Sequence, residues 1–250
     1  MRGKMLGELA ALGAALSWTV SAALYKKALV STKPISANIV RLAFTSVILI
    51  VLMAVFGRAW VLVDLPLQAF AMACVSGIVG LGFGDTLYMR SLEIVGVARA
   101  VPVTCTYPLF NLLWAFFLAN ETITIPVLFG VLAIVSGIWL LSSHKTEIDA
   151  GISQKRILIG VVSALLTAVL WSLSITMINM AVKETPDLEH ALAINVIRVT
   201  AIAVSFLALS PIIDRDRGFL KMERKTFALL AFGGLVALGL GWFFLTYSFT

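Results

Sequence analysis

Eight stretches of the chain are each apolar over about the length a helix needs to cross a bilayer, roughly 20 residues. They lie near Met5–Tyr25, Ile35–Phe56, Leu67–Tyr88, Arg99–Ala119, Pro126–Leu141, Ile157–Val182, Ala191–Ile212 and Phe227–Phe249. Inside lipid every backbone N–H and C=O must find a partner within the protein, so only helices and closed barrels span. These runs exceed barrel-strand length and lack period-two alternation. The fold class read from them is all-α: a polytopic membrane protein with eight transmembrane helices. Two connections are longer, Ser142–Arg156 and Asp214–Lys225; both are polar and mixed in charge and read as solvated.

Composition agrees. Sixty per cent of the 250 residues are hydrophobic and 13% charged, against roughly 25% charged in a soluble domain. The net charge of +6 does not point to nucleic acid, because the basic residues sit in short connections between apolar spans. The start, Met1-Arg2-Gly3-Lys4 and an apolar run, resembles a signal peptide, but more apolar spans follow, so it reads as a retained helix. Cys74 and Cys105 lie in apolar stretches and read as small core residues. His144 and His190 fall in polar connections. No cofactor is implied.

The sequence also repeats. Gly7, Ala11, Leu12, Ala15 and Trp18 recur as Gly160, Ala164, Leu165, Ala168 and Trp171, an offset of 153. Asn38-Ile39-Val40-Arg41 recurs as Asn195-Val196-Ile197-Arg198, and the glycine-rich run Gly77–Gly84 as Gly234–Gly241, both at an offset of 157. A unit therefore starts at span one and again at span six. Five helices per unit is odd, so the second unit enters from the opposite side. That is an inverted five-helix repeat with the second copy incomplete, a recurring device of secondary transporters. The expected division is residues 1–141, a connecting loop 142–156, and 157–250.

Charged residues within spans are costly and mark function or pairing. Arg41 lies six residues into span two, and Asp85 lies three residues before the expected end of span three, at a similar depth on the same side. They form a pair, or Arg41 snorkels and Asp85 caps the exit. Arg198 corresponds to Arg41, but Trp242 stands where Asp85 would recur. An Arg198 facing a cavity suits an anionic substrate; the alternative is again snorkelling. Pro102 and Pro108 interrupt span four and free carbonyls, with Thr104, Tyr107 and Asn111 close by, so span four is expected to line the pathway or to carry a packing kink. Gly77, Gly80 and Gly84 share one face at α-helical spacing and read as close packing. Trp18 and Trp171 stack on substrate or fill the core. The pathway candidates are thus Trp18, Asn38, Arg41, Asp85, Pro102, Thr104, Tyr107, Pro108, Asn111, Trp171, Asn195 and Arg198.

The stretch Ala98–Leu141 carries Pro102 and Pro108, then Glu121, then a span with Gly130 and Gly137. In these features the chain resembles EamA-like transporters of the drug/metabolite transporter superfamily. The resemblance implies ten helices, five per unit, with a cytoplasmic N-terminus. The chain is then a ten-helix protein without its last two helices, or a short form that completes itself as a homodimer. The positive-inside rule alone puts the N-terminus outside, because Lys and Arg number four on its side and thirteen on the other. The expected role is a secondary transporter or exporter of small polar metabolites, amino-acid-like or other organic compounds, by alternating access. Its partners are a small-molecule substrate and membrane lipid, with no nucleic acid, and its place is the cell membrane. The alternative is a non-transporting membrane subunit or fragment. No nucleophile motif or metal spacing within a span suggests an enzyme.

Overall fold

The structure, a computed structural model, describes residues 2–118, 120, 122–142, 153–185 and 187–248. Glu121 and most of the polar connection around His144 lie outside those residues. Among the described residues every element is a helix, with no strand. In chain order the long helices are α1 (Arg2–Ala28), α2 (Pro34–Val55), α3 (Leu67–Val95), α4 (Val97–Phe117), α5 (Ile125–Ser142), α6 (Gln154–Glu184), α7 (Leu188–Ile213) and α8 (Arg224–Tyr247), with one helical turn, Val61–Asp64, between α2 and α3. Seven of them are long and apolar enough to cross a membrane. The remaining one, α5, is the shortest of the eight.

Local chemistry sets most of the ends. Pro34 opens α2, where a missing N–H costs nothing. Asp187 caps α7, its carboxylate accepting from the His190 N–H at 3.0 Å. Gly96, at φ +75°, ends α3. The Lys26 ammonium donates to the Leu92 carbonyl there at 2.7 Å, a cation at a helix C-terminus. α3 is the main departure from the sequence reading. Its apolar run ends at Tyr88, yet the helix continues to Val95 through Arg90, Ser91 and Glu93, with Ser91 and Leu92 buried against neighbours. Asp85 is therefore well inside a helix, not at its exit.

Packing joins the two halves of the chain. α1 lies against α8, α6 against α3, and α2 against α7. α6 also carries α4, and α5 packs on α4. Large apolar side chains such as Leu9, Leu12, Leu16 and Val20 point outward from α1, as suits a lipid-facing stripe. The connection after α7 is not merely solvated, as the sequence suggested. Asp214 is buried and accepts from the Ser36 hydroxyl (3.0 Å) and the Phe219 N–H (3.1 Å), so the segment folds onto the start of α2. Beside it Lys33 pairs with Asp216. At the other end of the bundle Arg58 pairs with Glu189 at 3.1 Å.

The glycines in α3 and α8 permit backbone contact across the halves. A Cβ on Gly77 would overlap the Arg198 carbonyl, and a Cβ on Gly234 would sit 3.1 Å from the Arg41 carbonyl and 2.6 Å from Thr45 Oγ1. By contrast nothing lies within 4 Å of a Cβ built on Gly130 or Gly137. Gly77→Ala is therefore expected to lower stability by about 1–3 kcal/mol through overpacking. Gly130→Ala should leave it unchanged or raise it by up to about 1 kcal/mol. Thermal unfolding in detergent checks the pair of variants, and equal effects would contradict this packing.

Candidate functional site

The site is built on two stretches of π-helix, Gly77–Gly84 in α3 and Leu235–Gly241 in α8. A π turn is wider than an α turn and throws carbonyls out of line, which in a membrane must be met by other protein groups. Asn38 Nδ2 donates to the Leu81 carbonyl (2.9 Å) and to Thr86 Oγ1 (2.8 Å). Asn195 Nδ2 donates to the Leu238 carbonyl (2.8 Å). Leu81 and Leu238 are repeat counterparts, so both asparagines do the same work. From the helices packed across, the Ser21 hydroxyl reaches the Gly233 carbonyl and the Ser174 hydroxyl the Ser76 carbonyl, each at 3.0 Å. The Trp18 indole N–H donates to the Ala237 carbonyl at 3.3 Å.

Arg41 and Asp85 form a buried ion pair between α2 and α3, with side chains 2% and 6% exposed. Neither snorkels. Arg41 Nε donates to Asn38 Oδ1 at 2.8 Å, and its guanidinium carbon lies 5.0 Å from the centre of the Tyr25 ring. The second carboxylate oxygen of Asp85 accepts from the Trp171 indole N–H at 2.6 Å. Trp171, on α6, thus ties the second half to the charge pair of the first, and Tyr88 packs on its ring at 4.9 Å.

The corresponding place in the second half is built differently. Arg198 is 1% exposed, so it does not snorkel either. Its guanidinium carbon lies 3.7 Å from the centre of the Trp242 ring, the residue that stands where Asp85 would recur. Nη2 donates to Ser174 Oγ at 3.2 Å. Nε and Nη1 have no hydrogen-bond partner among the described residues, and neither has Asn195 Oδ1. Trp18 meets Trp242 edge-on at 5.7 Å. The cation is held by an aromatic face, worth about 2 kcal/mol when desolvated, without a carboxylate.

Span four is broken as its prolines imply. α4 is helical over Val97–Thr104 and again over Tyr107–Phe117, with a turn at Cys105 and Thr106; Pro108 sits in the first turn of the second segment. Pro102 lies within the first segment. Thr104 is buried and bonds its own backbone at Val101, and Tyr107 is half-buried. Asn111 Oδ1 accepts from Thr176 on α6 at 2.9 Å. The structure thus brings Trp18, Asn38, Arg41, Asp85, Trp171, Asn195 and Arg198 to the seam between the halves, whereas Pro102, Thr104, Tyr107, Pro108 and Asn111 lie on α4, which packs on α6.

Tyr25, Ser21, Ser174 and Trp242 also belong to the seam and were not read as site residues. Ser21 and Ser174 carry a signal, since they too are repeat counterparts at the offset of 153. Among the described residues no group of three His, Cys, Asp or Glu is placed to hold a metal.

Removing one member of a buried ion pair strands the other charge, at about 3–5 kcal/mol. Asp85→Asn is expected to destabilise the chain by that order, and Arg41→Gln with Asp85→Asn together by clearly less. Arg198→Gln should be mild, because it removes a cation with no carboxylate beside it. Unfolding midpoints of the four proteins in one detergent decide this, and an Arg198→Gln loss as large as that of Asp85→Asn contradicts it.

Two comparisons bear on identity. A transporter of Archaeoglobus fulgidus, described as uncharacterized, is 25% identical over 229 residues, which cover 90% of this chain and 77% of that protein. Residues 5–143 match the EamA-like transporter family. That match spans more than half of a multi-pass, all-helical chain, and the protein belongs to the EamA-like transporter family, a membrane transporter and not an enzyme.

Proposed function

We propose that the chain is a secondary transporter of small polar metabolites in the cell membrane, working by alternating access. Its moving parts are two inverted repeats, residues 1–141 and 157–250, joined by 142–156. The observation that carries this is the exchange of contacts at the seam. Ser21 to Gly233 and Ser174 to Ser76 are one contact made twice with the halves swapped. Gly77 on the Arg198 backbone and Gly234 on the Arg41 backbone are another. Two copies related in this way have two equivalent arrangements, and rocking between them exposes a central site to either side.

Eight crossings fit the contacts at the bundle ends. Lys33 pairs with Asp216, so the connections before α2 and after α7 share a side. Six helices separate them, an even number only if α5 crosses. Arg58 and Glu189 share the other side, with four helices between them by the same count. This supports α5, the shortest of the eight helices, as an eighth span.

In this reading the seam cluster of Trp18, Arg41, Asp85, Trp171 and Arg198 is where substrate meets the protein, with Asn38 and Asn195 holding the π-helical backbone beside it. The broken α4, with Pro102, Thr104, Tyr107, Pro108 and Asn111, forms a wall of the pathway. Proteoliposomes loaded with a mixture of small polar metabolites should release a subset faster than protein-free vesicles, as read by mass spectrometry. Asp85→Asn should slow that release at least tenfold. No solute released faster than from empty vesicles would refute transport by this chain. For the wall, Thr104→Cys, Tyr107→Cys and Asn111→Cys are made with Cys74 and Cys105 replaced by serine. A membrane-impermeant maleimide should label them, and labelling only by a lipid-soluble reagent would remove α4 from the pathway.

A further inference from the structure

We infer that Arg198 is the binding group for a small carboxylate, which takes at Arg198 the role that Asp85 takes at Arg41. The inference deepens the transport reading and relies on it only for how the ligand reaches a buried group.

The first half shows what this arrangement of helices does with a guanidinium. Arg41 is met by the Asp85 carboxylate, by Asn38 Oδ1 at its Nε, and by the ring of Tyr25. In the second half the aromatic contact is present, at Trp242, and the asparagine is present, at Asn195. The carboxylate is missing. Trp242 covers one face of the Arg198 guanidinium plane and Ser174 takes Nη2, which leaves Nε and Nη1 in the plane without partners among the described residues. In-plane N–H groups are the ones a carboxylate binds.

Charge gives the same answer. Among the described residues the buried charged side chains are Arg41, Asp85, Arg198 and Asp214. Asp214 is bonded to Ser36 and to the Phe219 N–H, and it lies just past the end of the helix that holds Arg198, 16 residues on, about 24 Å at the α-helical rise of 1.5 Å per residue. It cannot neutralise Arg198. Asp85 is already shared between Arg41 and Trp171. One positive charge is left over, which a monoanion balances. The orientation of Asn195 adds a detail. Its Nδ2 must face the Leu238 carbonyl, so Oδ1 is fixed as an acceptor without a partner, on the same helix face as Arg198. A ligand with a hydroxyl or amino group beside its carboxylate satisfies both residues.

The test uses the full chain in detergent, with L-lactate as the probe, L-lactamide as its uncharged counterpart, and chloride holding ionic strength constant. Lactate should raise the unfolding midpoint progressively with concentration, and lactamide should not. Arg198→Gln should lose the shift. Trp242→Asp, which gives Arg198 an internal carboxylate, should unfold at or above the original midpoint without lactate and no longer respond to it. An equal response to lactate and lactamide, a lactate shift that survives Arg198→Gln, or no response from the original chain would each overturn the inference. A lactate shift at Arg198 with no release from proteoliposomes would keep this site and sink the transport reading. Release of neutral or cationic solutes with no lactate shift would do the reverse.

Discussion

A carbonyl turned out of line inside a bilayer can bond only to protein, and much of this structure follows from meeting that demand. The π-helical stretches of α3 and α8 turn carbonyls outward at Leu81 and Leu238. Asn38 and Asn195 bond those two, and the hydroxyls of Ser21 and Ser174 bond carbonyls just ahead of the stretches. These donors come from helices of both halves, so the wide turns do not merely tolerate the neighbouring helices but bind them. Local irregularity and global packing are the same set of hydrogen bonds. The glycines that let the backbones approach sit within or next to the same stretches.

The charge arrangement is laid on that frame. Asn38 serves two masters, donating to the π-helical carbonyl and accepting from Arg41 Nε. It thereby sets the reach of the arginine that meets Asp85. Asn195 makes the first of these bonds but not the second, and Arg198 turns to Trp242 instead. One substitution between the copies, carboxylate to indole, converts a self-neutralised site into one with an excess cation. Of the charged residues that Arg41 and Arg198 could meet, the repeat keeps none at position 242.

Much of this was legible in the sequence. Span positions follow from apolar length, and counting depth along two neighbouring spans made the Arg41–Asp85 pair one of two open readings. The missing carboxylate opposite Arg198 follows from aligning the repeat. Three features were not legible. The end of α3 was misplaced because hydropathy stops at Tyr88, whereas packing of Ser91, Leu92 and Val95 carries the helix on. The glycine run was read at α-helical spacing, and nothing local distinguishes a π turn, which depends on donors more than forty residues away. The bond from Trp171 to Asp85 joins residues far apart in the chain, and a tryptophan in an apolar run reads as core until its N–H is seen to aim at an oxygen. The twelve candidates divide into a seam cluster and a group on α4 for the same reason: sequence gives depth but not azimuth.

The pairing of α1 with α8 has a consequence for biosynthesis. Chains are made from the N-terminus, so α6 emerges after α3 and α4 are already in the bilayer, and its row of hydroxyls at Thr167, Ser174 and Thr176 finds Gly84, Ser76 and Asn111 waiting. α1 has no such order. Its Trp18 and Tyr25 bond to Ala237 and Gly233, groups synthesised more than 200 residues later. Until then Ser21 can turn to its own helix at Ser17, a bond it also makes in the finished fold, and the Tyr25 ring can meet Arg41 of α2, whereas the Trp18 indole waits for α8. The first helix inserted is therefore among the last to complete its packing, and the interval before α8 arrives is when the young protein most needs lipid headgroups, water at the interface or a chaperone to occupy that donor.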